Sequence, residues 1–175
     1  PLLPDGKGPV NVNANGKALV VYFTQFGNTR KIAEALAEKL SSVGKARVMP
    51  IDGLTAADLA DAGLVLFGSP THYQNLPKAV RAALDALPRR ALRGVPVAAF
   101  DTSVAAWGPL MWMTAAHRLL PRLRKLGGKP VARPETFLVL RGEAPESGER
   151  QDALCEGELE RASRWAASLL ERIST

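Results

Sequence analysis

Six residues, Thr24-Gln25-Phe26-Gly27-Asn28-Thr29, separate an apolar run from Ala18 to Phe23 from a helical pattern with Ile32, Leu36 and Leu40 on one face. Thr24 and Thr29 offer hydroxyl donors. Gly27 lets the backbone take a positive φ or approach a ligand closely, and Asn28 is a residue type that caps helices. A helix start carries unpaired N–H groups and about half a positive charge, so it holds a phosphate well. No Lys or Arg lies between Thr24 and Thr29, so the expected cradle uses neutral donors and the helix end. The turn is neither a Walker A loop nor a Gly-x-Gly-x-x-Gly dinucleotide fingerprint.

Two later stretches can complete a site. Ser69-Pro70-Thr71-His72-Tyr73 follows the apolar run from Gly63 to Gly68, and Asp101-Thr102-Ser103 with Trp107 and Gly108 follows the run from Val95 to Phe100. The first brings a flat ring. The second is expected to bring exposed backbone amides and an indole. Ligands of open parallel sheets bind beyond the carboxyl ends of the strands, where the winding direction reverses. The three loops are therefore expected to share one rim.

The elements that position them alternate. Continuous apolar runs of strand length are what a parallel sheet covered on both faces requires. Ala18–Phe23, Ala46–Ile51, Gly63–Gly68, Val95–Phe100 and Lys129–Leu140 read as five strands, with Arg133-Pro134 a break in the last. Pro50 suits an edge for the second. Amphipathic patterns follow each strand: one to Ser42, a short one at Thr55–Ala60 with Asp58 near a capping box, one from Leu76 to Leu87, one carrying Trp112, Ala116, Leu119 and Leu123, and one from Leu159 to Ile173. Pro121 is expected to kink or split the fourth. Such alternation implies a three-layer, doubly wound α/β fold with a five-stranded parallel sheet. Residues 1–16 hold three Pro, three Gly and three Asn without apolar periodicity and read as a flexible tail. Residues 17–175 read as one domain.

Thr-x-x-Gly-Asn-Thr resembles the phosphate loop of the flavodoxin family, with Phe26 where the family pattern places Thr or Tyr. Ser69-Pro70-Thr71 and the Asp101-Thr102-Ser103 run are similar to its second and third loops. Glu156 to Ala162, ahead of Trp165, resembles a tail of stand-alone flavodoxin-domain proteins. The resemblance covers about residues 17 to 175. It implies strand order 2-1-3-4-5, bound FMN and electron transfer through that flavin. The cofactor-binding positions it implies are Thr24, Gln25, Phe26, Gly27, Asn28, Thr29, Pro70, Thr71, His72, Tyr73, Asp101, Thr102, Ser103, Trp107 and Gly108. Which of His72, Tyr73 and Trp107 stacks on the flavin stays open. Two other readings accompany the carrier: an FMN-dependent NAD(P)H:quinone or protoporphyrinogen-type oxidoreductase, and a flavodoxin-like interaction module without flavin. The expected partner is a redox protein or a small-molecule electron acceptor.

Composition narrows the rest. One cysteine, Cys155, excludes an internal disulfide and a cysteine metal cluster, and His72 and His117 are too few for a histidine-rich metal site. No apolar run is long enough to span a bilayer, and a cytoplasmic protein is expected. The net charge is +6, whereas the family's soluble carriers are usually acidic. Arg118 to Arg133 contains six basic residues and no acidic one. Aromatic residues do not interleave these charges as single-strand binding would need, so specific nucleic-acid binding is not expected.

Overall fold

A computed structural model describes residues 17–71, 75–104, 114–142 and 152–174. The tail at 1–16, and with it His72, Tyr73, Trp107, Gly108 and Trp112, lies outside the described residues.

The chain runs β1 (Lys17–Tyr22), α1 (Asn28–Leu40), β2 (Lys45–Pro50), a 3-10 turn (Ile51–Gly53), α2 (Ala56–Ala60), β3 (Leu64–Pro70) and α3 (Lys78–Ala86). It continues through β4 (Pro96–Val104), α4 (Ala115–Lys125), β5 (Lys129–Pro130), β6 (Glu135–Leu140), β7 (Ala153–Leu154) and α5 (Glu158–Ser174). The sheet order is β2-β1-β3-β4-β6-β7, with β5 also paired to β4. Among the described strands every pairing is parallel except β6 with β7. The order 2-1-3-4-5 is therefore present, with the fifth place shared by β5 and β6. The break falls at residues 131–134, where Arg133-Pro134 was expected to cause it. The short strand β7 extends the sheet beyond the five parallel strands. It pairs with the last two residues of the β6 edge, Val139 and Leu140.

Side chains alternate between two cores, as a strand period of two dictates. Leu19, Val21, Val65, Phe67, Val97 and Ala99 face the layer built by α3 and α4. Ala18, Val20, Leu64, Leu66, Ala98 and Phe100 face α1 and α5. Gly68 marks a close approach: a Cβ there would stand 2.1 Å from the Phe100 ring. That ring meets Phe137 and Trp165 edge to face, at centroid distances of 6.2 and 6.4 Å.

Two local expectations change. Pro121 does not split α4, which runs through it as one helix. The carbonyl that loses its partner belongs to half-exposed His117, on a side of the helix that water reaches. Strand β4 also continues past Phe100: Asp101, Thr102 and Ser103 pair with β3 and β6 and are buried. Their amides belong to the sheet ladder and are not the exposed loop donors expected. The expected capping box of α2 forms, with Asp58 Oδ2 accepting from Thr55 N at 2.9 Å and Thr55 Oγ1 at 2.7 Å.

Candidate functional site

The first turn and the ends of β3 and β4 converge at one rim. Phe23 N donates to Gly68 O at 2.9 Å, and Thr71 N donates to Thr102 O at 2.9 Å. Thr29 Oγ1 and Thr102 Oγ1 lie 2.8 Å apart, which ties the first turn of α1 to β4 across the sheet. Pro70 ends β3, paired with Thr102.

Within the turn, Gly27 takes φ 82 and ψ −13 and stands at the N-cap position of α1. No atom of the other described residues beyond its chain neighbours lies within 4 Å of where its Cβ would be. The glycine is thus required by its left-handed backbone, not by crowding. Asn28, expected to cap the helix, is instead its first residue, and its Nδ2 donates to Asp152 O at 2.7 Å. Thr29 is 1% exposed and paired with Thr102, so its hydroxyl braces the turn. Among the described residues, Thr24 Oγ1 is buried without a hydrogen-bond partner, and so is Asn28 Oδ1. Gln25 and Phe26 are exposed, Phe26 to 40%. An exposed aromatic beside an orphaned hydroxyl and an open helix start suits a ligand with an anionic end. A buried polar atom without a partner carries a desolvation cost that a bound acceptor or donor would offset.

The second and third stretches have a further task at the start of α4. Thr71 Oγ1 accepts from Ala115 N at 2.9 Å, and Asp101 Oδ2 accepts from Ala116 N at 2.8 Å. Helix N-termini leave such amides unpaired, and here β3 and β4 supply the acceptors. Burial pushes the Asp101 carboxyl up to about 7, against the lowering effects of the Thr114 hydroxyl, the Ala116 amide and the Thr136 hydroxyl. Among the described residues, Asp101 Oδ1 and Ser103 Oγ have no hydrogen-bond partner. His117 shares a 3.0 Å hydrogen bond with Thr114 Oγ1, and burial lowers its pKa.

Sequence reasoning missed the brace behind the turn. Glu158 Oε2 accepts from Leu138 N at 2.6 Å and from Arg161 at 2.7 Å. Arg161 also bridges Glu135 and the Thr136 carbonyl, and its guanidinium lies 4.5 Å from the Phe137 ring centroid. The Glu156–Ala162 stretch thereby locks α5 to β6 and leads in from Asp152, whose carbonyl holds Asn28. The i, i+3 spacing of Glu158 and Arg161 was readable, but its partners on β6 were not. Among the described residues no group of three His, Cys, Asp or Glu side chains could hold a metal ion.

A doubly wound parallel sheet, with a neutral hydroxyl-bearing turn leading from its first strand into its first helix, defines the flavodoxin-like class of α/β protein. The chain belongs to the flavodoxin family, whose model, described as Flavodoxin, matches residues 20–162. A flavodoxin of Clostridium saccharobutylicum is 27% identical over 128 residues, spanning 70% of this chain and 80% of that protein. An NAD(P)H dehydrogenase (quinone) of Geotalea uraniireducens is 30% identical over 96 residues, 40% of this chain and 47% of that protein. Oxidised Flavodoxin 2 from Bacillus cereus superposes with a TM-score of 0.71 at 23% identity, over 89% of this chain and 99% of that one. Proteins of the family bind flavin, typically FMN. No helix among the described residues is long and apolar enough to cross a membrane.

Proposed function

We propose that the protein binds FMN at the β1–α1 turn and transfers electrons through it to a redox partner. The observation that carries this reading is Thr24 Oγ1, buried without a partner among the described residues, next to the helix start that Gly27 opens. A phosphate seated there would accept from that hydroxyl and from the first amides of α1. Flavin, when bound, supplies the electron chemistry, while the chain orients it and keeps water from it. Thr29 and Thr102 hold the turn against β4, and Asn28 anchors the turn to the segment before β7. His72, Tyr73 and Trp107 remain the proposed ring contacts, with Pro70 and Thr71 setting where the second loop leaves the sheet.

The test compares FMN with riboflavin, which lacks the phosphate. FMN is expected to reconstitute a yellow protein, and riboflavin to bind at least about a hundredfold more weakly, as the loss of several charge-assisted hydrogen bonds implies. Equal affinities would remove the phosphate cradle from the turn. A colourless protein that FMN cannot reconstitute would favour the interaction-module reading.

The likeness to an NAD(P)H dehydrogenase (quinone) over 40% of the chain favours one second reading, a flavin-dependent oxidoreductase. NAD(P)H-dependent quinone reduction by the purified protein, with no added partner, would select it over the carrier.

A further inference from the structure

At the amino end of β4, opposite the cofactor rim, the C-terminal ends of α3 and α4 enclose a cleft of about 590 Å³. Strand β4 is nine residues long, so the cleft stands roughly 25 Å from the rim. Leu84 and Leu126 are buried at its base and Leu87 is half-buried. Around them stand Arg89, Arg90, Arg122 and Lys125, against one carboxylate, Asp85. Asp85 is already engaged by Arg122 at 3.0 Å. Three cations therefore face an apolar base without a counter-charge among the residues that line the cleft.

Arg90 adds an independent observation. Its φ is 66, and it is the one non-glycine among the described residues with a left-handed backbone. A side chain with a Cβ is disfavoured there, and glycine would fit with less strain. Strained positions of this kind gather at functional sites. The strained residue is one of those that line the cleft.

We propose that this cleft binds a small, soluble organic polyanion: a molecule with an apolar body and two or more carboxylate, sulfate or phosphate groups. The leucines take the body, and Arg90, Arg89 and Lys125 take the charges. A volume near 590 Å³ is that of a small-molecule site. Among the described residues no aromatic side chain lines it for base stacking, which disfavours a single-stranded polynucleotide. The site is separate from the β1–α1 turn and does not depend on the flavin reading.

The experiment titrates the whole 175-residue chain, as purified, with naphthalene trisulfonate by calorimetry. Inorganic sulfate and poly-glutamate serve as comparison probes. One-to-one binding is expected, weakened about three- to tenfold by each of Arg90→Gly and Lys125→Gln, as loss of an ion pair to a bound anion implies. Sulfate is expected to bind at least about tenfold more weakly, because it lacks the apolar body. Arg90→Gly relieves backbone strain, so an unchanged or raised unfolding midpoint separates lost binding from lost folding. Absent binding of the trisulfonate, equal binding of sulfate, binding of poly-glutamate alone, or affinity unchanged in both variants would each overturn the proposal.

Discussion

Asp101 Oδ2 accepts the Ala116 backbone N–H at 2.8 Å, so a buried strand carboxyl caps the helix that follows it. Desolvation raises that carboxyl from 3.8 to about 7 in the folded protein. The folded state therefore holds a proton that the unfolded chain releases between those two values. Stability from this group is fully present below about pH 4 and is lost as pH rises toward about 7. Asp101→Asn removes the titration and keeps an oxygen for Ala116. The stability of the variant relative to wild type should rise between pH 4 and pH 7, by at most roughly 4 kcal/mol. Urea unfolding midpoints of the two proteins across that window measure it. A difference that does not change with pH would mean that Asp101 is ionised throughout.

Gly68 and Phe100 give a packing prediction. A methyl group on Gly68 would stand 2.1 to 2.7 Å from three atoms of the Phe100 ring. The ring cannot yield freely, because Phe137 and Trp165 pack against it edge to face. Gly68→Ala should cost about 1–3 kcal/mol, the usual range for overpacking a filled core. Chemical denaturation reads the loss. A neutral result would mean that β3 and β4 can separate slightly at that pair.

The parallel strands were legible because burial on two faces leaves unbroken apolar runs such as Leu19–Val21 and Leu64–Phe67. The end of β4 was not. Asp101, Thr102 and Ser103 are polar by type and read as loop, yet Asp101 and Thr102 find partners on α4 and α1. A buried polar residue with a distant partner leaves no periodic signal. Nor does β7, whose two residues are too short to show one. At the β1–α1 turn the positive φ expected of Gly27 is present, but the cap expected of Asn28 is not. Gly27 takes the cap position because of its left-handed φ, and Asn28 turns away to Asp152, 124 residues on.

Thr24 and Gly27 give the binding variants for the proposed cradle. Thr24→Ala removes a buried hydroxyl that has no partner among the described residues. The apoprotein should lose little stability, while FMN affinity should fall about tenfold, the loss expected for one hydrogen bond to a charged group. Gly27→Val meets open space but must hold φ 82. It should destabilise the protein by about 1–2 kcal/mol through backbone strain and also weaken FMN. Fluorescence titration together with apoprotein unfolding separates the two effects. Equal FMN affinity in both variants and wild type would move the phosphate elsewhere.

Arg161 joins three acceptors that no other described cation reaches: Glu158, Glu135 and the Thr136 carbonyl. Glu158 is only 7% exposed, so removing Arg161 leaves a carboxylate in a poorly solvated place, facing Glu135 across the gap. Leu138 N alone would then answer Glu158 Oε2. Arg161→Ala should therefore destabilise the fold by about 2–4 kcal/mol, more than an exposed ion pair is worth, because the loss is that of a stranded charge. Arg161→Ala with Glu158→Gln should recover part of it, since an amide needs no counter-charge. The double-mutant comparison measures the coupling directly. The segment tied down by this network leads to Asp152, whose carbonyl holds Asn28 at the start of α1. FMN affinity in Arg161→Ala should fall as well, although the guanidinium touches no part of the proposed cradle. If affinity stayed at the wild-type level while stability fell, α5 and the β7 segment would brace the sheet without positioning the turn.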